Sequence, residues 1–202
     1  RLADGTTFTL DNREIAPAAA HRDMYLDDNA DVIENMSLRT RAASGVPGTV
    51  DGLLKVWEDH GSGNISRREL LAPAIALAEK GFELSHYEAS RFNSYKELFS
   101  RNEAAAEVFI RHDKRPWKDG DKFVQKDLAK TLKRIAREGR DGFYTGKTAD
   151  LIVAEMSRGI GLITYGDLLN YRSKYREPVM GSFNDFDLLS MGLPSSGGTI
   201  LV

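Results

Sequence analysis

Ser66-Arg67-Arg68-Glu69-Leu70-Leu71-Ala72-Pro73-Ala74-Ile75-Ala76-Leu77-Ala78-Glu79-Lys80-Gly81 reads as a helix with both ends marked. Ser66 is placed to cap the N-terminus, and Glu69, three residues on, completes a capping box. Leu70, Leu71, Ala74, Ile75 and Ala78 recur at helical spacing, and Gly81 stops the pattern. Pro73 lacks an N–H, so it is expected to bend the early turns or to move the helix start.

Working outward, helical patterns fill the middle of the chain. Val50 to Asp59 carries Leu53, Leu54 and Trp57 on one face, and Gly61 and Gly63 follow it. Ser85 to about Phe99 reads as another helix, and Glu103 to Phe109 as a short one. Arg111 to Gly120 is a charged loop holding Pro116 and Trp117. Val124, Leu128, Leu132 and Ile135 form an apolar stripe on a helix ending before Gly139. Leu151, Ile152 and Met156 suggest one more, and Asp167 to Tyr171 a short piece.

The ends read differently. Thr6 to Leu10 is rich in strand formers after the Asp4-Gly5 turn signal, which predicts a hairpin with Arg13 and Glu14 at the end of its second strand. Val179 to Met191 alternates like a strand pair across Asn184-Asp185. Strands at both ends with helices between them define an α+β class rather than alternating βαβ units.

The 202 residues suit one domain or two small ones. Lys and Arg total 28 and Asp and Glu 30, a formal charge of −2, which argues against a basic nucleic-acid clamp and against an acidic disordered tail. With no cysteine, the chain has no disulfide, thiolate nucleophile or Cys-based zinc site. The longest apolar run, Leu70 to Ala78, is broken by Pro73 and is far short of the roughly 18 residues of a membrane span. The chain opens on Arg1 without an initiator Met and closes on Ile200-Leu201-Val202, so it reads as a piece of something longer.

Few residues announce chemistry. His21, His60, His86 and His112 lack metal-ligand spacing and read as solvated or structural. Asp27-Asp28-Asn29-Ala30-Asp31 starts like a calcium loop, but Val32 and Leu38 stand where glycine and glutamate are needed, so it reads as a polar surface loop. Ser195-Ser196-Gly197-Gly198 reads as a helix cap with close backbone approach, ahead of two rivals: a serine nucleophile and an anion cradle. Arg13, between Asn12 and Glu14, reads by itself as an ordinary ion-paired arginine; its alternative is a bidentate clamp on a carboxylate.

Taken in order, seven stretches resemble the γ-glutamyltranspeptidases, or glutathione hydrolases. They are Leu10-Asp11-Asn12-Arg13-Glu14-Ile15-Ala16-Pro17, Met24-Tyr25-Leu26-Asp27 with Ser44-Gly45-Val46-Pro47-Gly48-Thr49-Val50, Pro73 to Ala78 with Gly81-Phe82, Gln125 to Leu132, Phe143-Tyr144 with Gly146, Gly161-Leu162-Ile163-Thr164, and Pro194-Ser195-Ser196-Gly197-Gly198. The resemblance implies an incomplete portion of the αββα sandwich of the N-terminal-nucleophile hydrolases. It implies that residues 1–202 are a large-subunit segment without an internal boundary, whose partner is a small subunit carrying a threonine nucleophile.

In that family the threonine, activated by its own α-amine, attacks a γ-glutamyl amide and passes the glutamyl group to water or to an amino-acid acceptor. The nucleophile belongs to a Thr-Thr-His type element beyond the Ser-Ser-Gly-Gly loop. The Thr-Thr pair here, Thr6-Thr7, precedes Phe8 at the other end. The oxyanion-hole glycines likewise belong to the small subunit, and Gly197 and Gly198 are not those glycines. The implied site assignment is therefore Arg13 as the α-carboxylate ligand, no catalytic residue in this chain, and no metal or cofactor. Gly45 to Gly48 and Ser195 to Gly198 carry structural roles.

The implied substrate is a γ-glutamyl compound such as glutathione, with no nucleic-acid partner and no membrane span. The implied location is periplasmic or extracellular. Two alternatives stay open: a related acylase or poly-γ-glutamate transpeptidase, and a non-catalytic binding module or orphan subunit.

Overall fold

The computed structural model describes residues 1–201; the apolar end at Val202 lies outside the described residues. In chain order the elements are β1 (Thr9–Asp11), α1 (Met36–Arg39), a 3-10 turn (Arg41–Ala43), α2 (Thr49–His60), α3 (Arg67–Lys80), β2 (Phe82–Glu83), α4 (His86–Ser94), α5 (Lys96–Ser100) and α6 (Glu103–Phe109). There follow β3 (Lys122–Phe123), α7 (Lys126–Glu138), α8 (Asp141–Tyr144), α9 (Gly146–Met156), α10 (Tyr165–Asn170), β4 (Lys174–Arg176), β5 (Val179–Phe183), β6 (Phe186–Ser190) and α11 (Ser196–Leu201). The class is α+β. Short strands sit near both ends, and one small pair, β2 with β3, interrupts the helical middle.

The folded chain gathers into two compact units. One unit joins Arg1–Asn64 to Glu138–Val202, and the other is the continuous stretch Ile65–Arg137 inserted between those halves.

In the discontinuous unit, Val46, Tyr144, Ala149, Ile163, Leu168 and Tyr171 form the core, each no more than 4% exposed. β1 pairs antiparallel with β4, Leu10 opposite Tyr175. This corrects the expected local hairpin. The Asp4-Gly5 turn exists, with Gly5 N–H donating to Leu2 C=O at 3.1 Å, but the strand after it pairs with residues near 175. α2 forms as its pattern predicts, but Leu53 points to solvent while Leu54 is buried. β5 and β6 make the expected hairpin, with Asn184 at φ 51° in the turn, a conformation asparagine tolerates.

In the inserted unit, α3 starts where the capping box puts it. Ser66 accepts from Glu69 N–H while Glu69 accepts from Ser66 N–H. Pro73 lies inside α3 and does not displace its start. The helix expected from Ser85 to Phe99 is two helices, α4 and α5, divided at Tyr95. Phe92, Phe109, Trp117 and Phe123 pack around Leu84 and Ala89. Arg111 ties the charged loop together through Asp113 and Asp121, at 2.9 and 2.6 Å. These two carboxylates hold the guanidinium pKa above its ordinary value.

Candidate functional site

The site is a pinned backbone that presents one arginine. Arg13 lies two residues past β1. Asp11 anchors the segment from before: its Oδ2 accepts from Arg176 Nε at 2.7 Å, and its Oδ1 accepts from Arg13 N–H at 3.2 Å. Partial burial works against the Asp11 carboxylate, but the Arg176 guanidinium and the Arg13 N–H outweigh it and lower its pKa. Ile15 anchors the segment from after, exchanging two backbone hydrogen bonds with Val46 at 3.3 and 2.8 Å. Between them, the Tyr171 hydroxyl donates to the Arg13 carbonyl at 2.7 Å.

The glycines of the Gly45-Val46-Pro47-Gly48 stretch permit this approach. A Cβ on Gly48 would lie 1.9 Å from the Tyr171 hydroxyl and 2.3 Å from the Asn12 carbonyl. One on Gly45 would lie 2.8 Å from Glu14 Cγ, and one on Gly52 would lie 2.3 Å from Asn12 Cβ. At Gly48 the neighbour is the Asn12 carbonyl, which cannot yield, so there main chain packs on main chain; at Gly45 and Gly52 the glycine backbone packs against the Glu14 and Asn12 side chains.

Beneath this contact is a charged frame that residue spacing did not reveal. Asp51, in the first turn of α2, is buried; its Oδ1 accepts from Arg140 Nε at 2.7 Å. Its Oδ2 accepts from both Ser173 N–H and Ser173 Oγ–H at 2.7 Å. Burial alone would raise the Asp51 pKa, but the Ser173 and Arg140 donors outweigh it and the net shift is downward. Arg140 Nη2 donates to the Tyr171 carbonyl at 2.7 Å, and its guanidinium lies 4.5 Å from the Tyr144 ring centre. Tyr144 donates to Pro47 C=O at 2.8 Å, and burial pushes its pKa up to about 12. Its ring stacks on Tyr171 with the centres 5.9 Å apart.

By contrast, the Arg13 side chain is 57% exposed. Among the described residues its ion pair is with the equally exposed Glu14 at 3.3 Å. Such a contact is weak and readily exchanged for another carboxylate. The arrangement is an exposed cationic fork on a main chain tied down by hydrogen bonds, suited to bidentate capture of a carboxylate.

The other candidates resolve locally. Ser195 Oγ accepts from Gly197 N–H at 3.3 Å at the start of α11, and a Cβ on Gly198 would lie 2.3 Å from the Met191 carbonyl. That is the cap-and-close-approach arrangement. Asp27 turns back on its own loop, where its Oδ1 accepts from Asn29 and Asp31 N–H at 2.9 and 3.0 Å. The four histidines are exposed, and His60 stacks on Phe8 with the ring centres 4.4 Å apart. Among the described residues, no three His, Asp or Glu side chains converge to hold a metal, and no helix is long and apolar enough to cross a membrane.

Residue spacing and the family resemblance single out Arg13 as a candidate; neither singles out Asp51, Arg140 or Tyr171. Asp51 looks like an ordinary acid in a helix's first turn. Its partners lie 89 and 122 residues away.

The fold places the chain with the N-terminal-nucleophile hydrolases. It superimposes on the Helicobacter pylori γ-glutamyltranspeptidase with a TM-score of 0.95 at 40% identity, covering 99% of this chain and 57% of that one. Against the Pseudomonas nitroreducens γ-glutamyltranspeptidase the TM-score is 0.88 at 42% identity, over 98% of this chain and 57% of that one. The gamma-glutamyltranspeptidase family model matches residues 1–202, and the chain belongs to that family. Relatives named glutathione hydrolase proenzyme include one from Pseudomonas aeruginosa, 45% identical over 98% of this chain, and one from Escherichia coli, 38% identical over 100%. The chain spans about a third of the length of these curated relatives, 34% in each case.

Proposed function

We propose that this chain is the α-carboxylate-binding segment of an enzyme that cleaves γ-glutamyl amides such as glutathione. In this reading the glutamyl group passes to water or to an amino-acid acceptor. The observation that supports it is the contrast at Arg13: a main chain held from three directions and a side chain more than half open to solvent. A substrate carboxylate displaces Glu14 from the fork and gains two parallel charge-assisted hydrogen bonds. Fixing the main chain lets the fork set the distance from the carboxylate to the scissile bond, which is the positioning part of catalysis.

The chemical step belongs, on this reading, to a threonine nucleophile on a partner small subunit, with no metal or organic cofactor. The enzyme works in the periplasm or outside the cell. In the full-length protein, Arg13→Ala raises KM for γ-glutamyl-p-nitroanilide by an amount equivalent to about 2–5 kcal/mol, the scale for truncating one side of a charge pair. An unchanged KM overturns the assignment. The 202-residue chain alone releases no p-nitroaniline; clear turnover by it overturns the division of labour.

A further inference from the structure

Arg13 touches the fold through its backbone, so the groups that hold that backbone govern where the guanidinium can reach. One side chain holds the carbonyl of Arg13 itself. Tyr171 is 1% exposed, and its hydroxyl donates to that carbonyl at 2.7 Å. The hydroxyl sits in the space that glycine at position 48 leaves open. The other end of Tyr171 is fixed as well: its own carbonyl accepts from Arg140, which is bonded to buried Asp51. A continuous chain thus runs from a buried ion pair, through one tyrosine, to the residue that carries the exposed fork.

We propose that Tyr171 is a positioning residue for γ-glutamyl binding, acting only through Arg13. This rests on the reading of Arg13 given above. Peptide geometry supplies the reason. The Arg13 carbonyl and its Cα belong to the same rigid unit, so releasing the carbonyl lets the Cα–Cβ direction swing. The guanidinium lies several bonds further out, where a small rotation becomes a large displacement. Bidentate capture tolerates little displacement, so the loss falls on carboxylate binding. Stability falls only modestly, because the phenyl ring of Phe keeps the stacking on Tyr144.

The test is a double-mutant cycle on the full-length enzyme with γ-glutamyl-p-nitroanilide. Tyr171→Phe raises KM roughly three- to tenfold, the equivalent of one hydrogen bond, with kcat little changed. In the Arg13→Ala background the same substitution changes KM by less than about twofold, because there is no fork left to misplace. Replacing Tyr171 by 4-aminophenylalanine, which retains a donor at that point, restores KM to near the parent value. That variant also covers the case in which Tyr171→Phe fails to fold.

A Tyr171→Phe effect of equal size with and without Arg13 overturns the proposal and leaves Tyr171 a structural residue. A fall in kcat at constant KM overturns it too. If Arg13→Ala itself leaves KM unchanged, the carboxylate reading fails and the proposal falls with it. That failure is distinguishable, because it shows in the single Arg13 variant.

Discussion

Asp51→Ala removes one side of the ion pair beneath the Arg13 segment, and its cost follows from what stays behind. The Asp51 side chain is 7% exposed and that of Arg140 23%. Arg140 keeps the carbonyl of Tyr171 and the face of Tyr144, so its charge is not stranded. What goes is the charge-assisted hydrogen bond from Arg140, about 1.5–3 kcal/mol, and the acceptor shared by the buried Ser173 N–H and hydroxyl, about 1–3 kcal/mol. The total is about 2.5–6 kcal/mol. For a chain of this size each kcal/mol moves Tm by about 2–4 °C, so the expected fall is roughly 5–24 °C.

The assay is heat unfolding of the chain followed by circular dichroism. Asp51→Asn, which keeps one acceptor oxygen, should fall between the parent and Asp51→Ala. The pH dependence has a definite sign. The folded Asp51 pKa lies below its ordinary value of 3.8, so its contribution is complete above that value and is lost as pH falls through the folded pKa. The gap between parent and Asp51→Asn therefore closes on acidification below about pH 4. A fall in Tm of about 2 °C or less for Asp51→Ala, the size of a neutral surface change, refutes the reasoning.

Two further substitutions separate close packing from ordinary propensity. Gly48→Ala, whose Cβ would meet the Tyr171 hydroxyl and the Asn12 carbonyl, should cost about 1–3 kcal/mol, whereas Gly166→Ala, with its nearest neighbour 3.6 Å away, should stay within about 1 kcal/mol of the parent by urea unfolding. Ser66→Ala deletes the hydroxyl of the α3 capping box and should cost about 1 kcal/mol in the same assay; no loss means that the box does not hold the helix start.

What the sequence made legible was what is decided within a few residues. The Ser66–Glu69 box, the Asn184-Asp185 turn and the Ser195 cap are made by neighbours, and all three stand in the structure. Strand partnership is a different problem. Thr6 to Leu10 has strand composition, but nothing local says that its partner is Lys174–Arg176 rather than the next few residues. The faces of α2 also depend on distant chain: Leu54 is buried and Leu53 is not because of what packs on the helix, since both fit the same helical pattern.

The candidate site divides in the same way. The resemblance singled out Arg13, and Gly45 to Gly48 carry a visible glycine signature. The reason for those glycines, the Tyr171 hydroxyl and the Asn12 carbonyl, appears only once residues far apart in sequence are brought together.

The insertion of Ile65–Arg137 between the two halves of the other unit sets an order of events during synthesis. Arg13 leaves the ribosome early, but Tyr171 and Arg176, which fix its backbone, follow some 160 residues later. At about 5–20 residues per second that is a delay of roughly 8–32 s. The inserted stretch is continuous and is made whole within that interval, so it can fold while the N-terminal half still waits. The segment bearing the arginine is then among the last parts of its unit to be secured, and closing so long a loop is a slow step. A nascent chain stalled before Tyr171 carries the arginine but not the hydrogen bond that aims it.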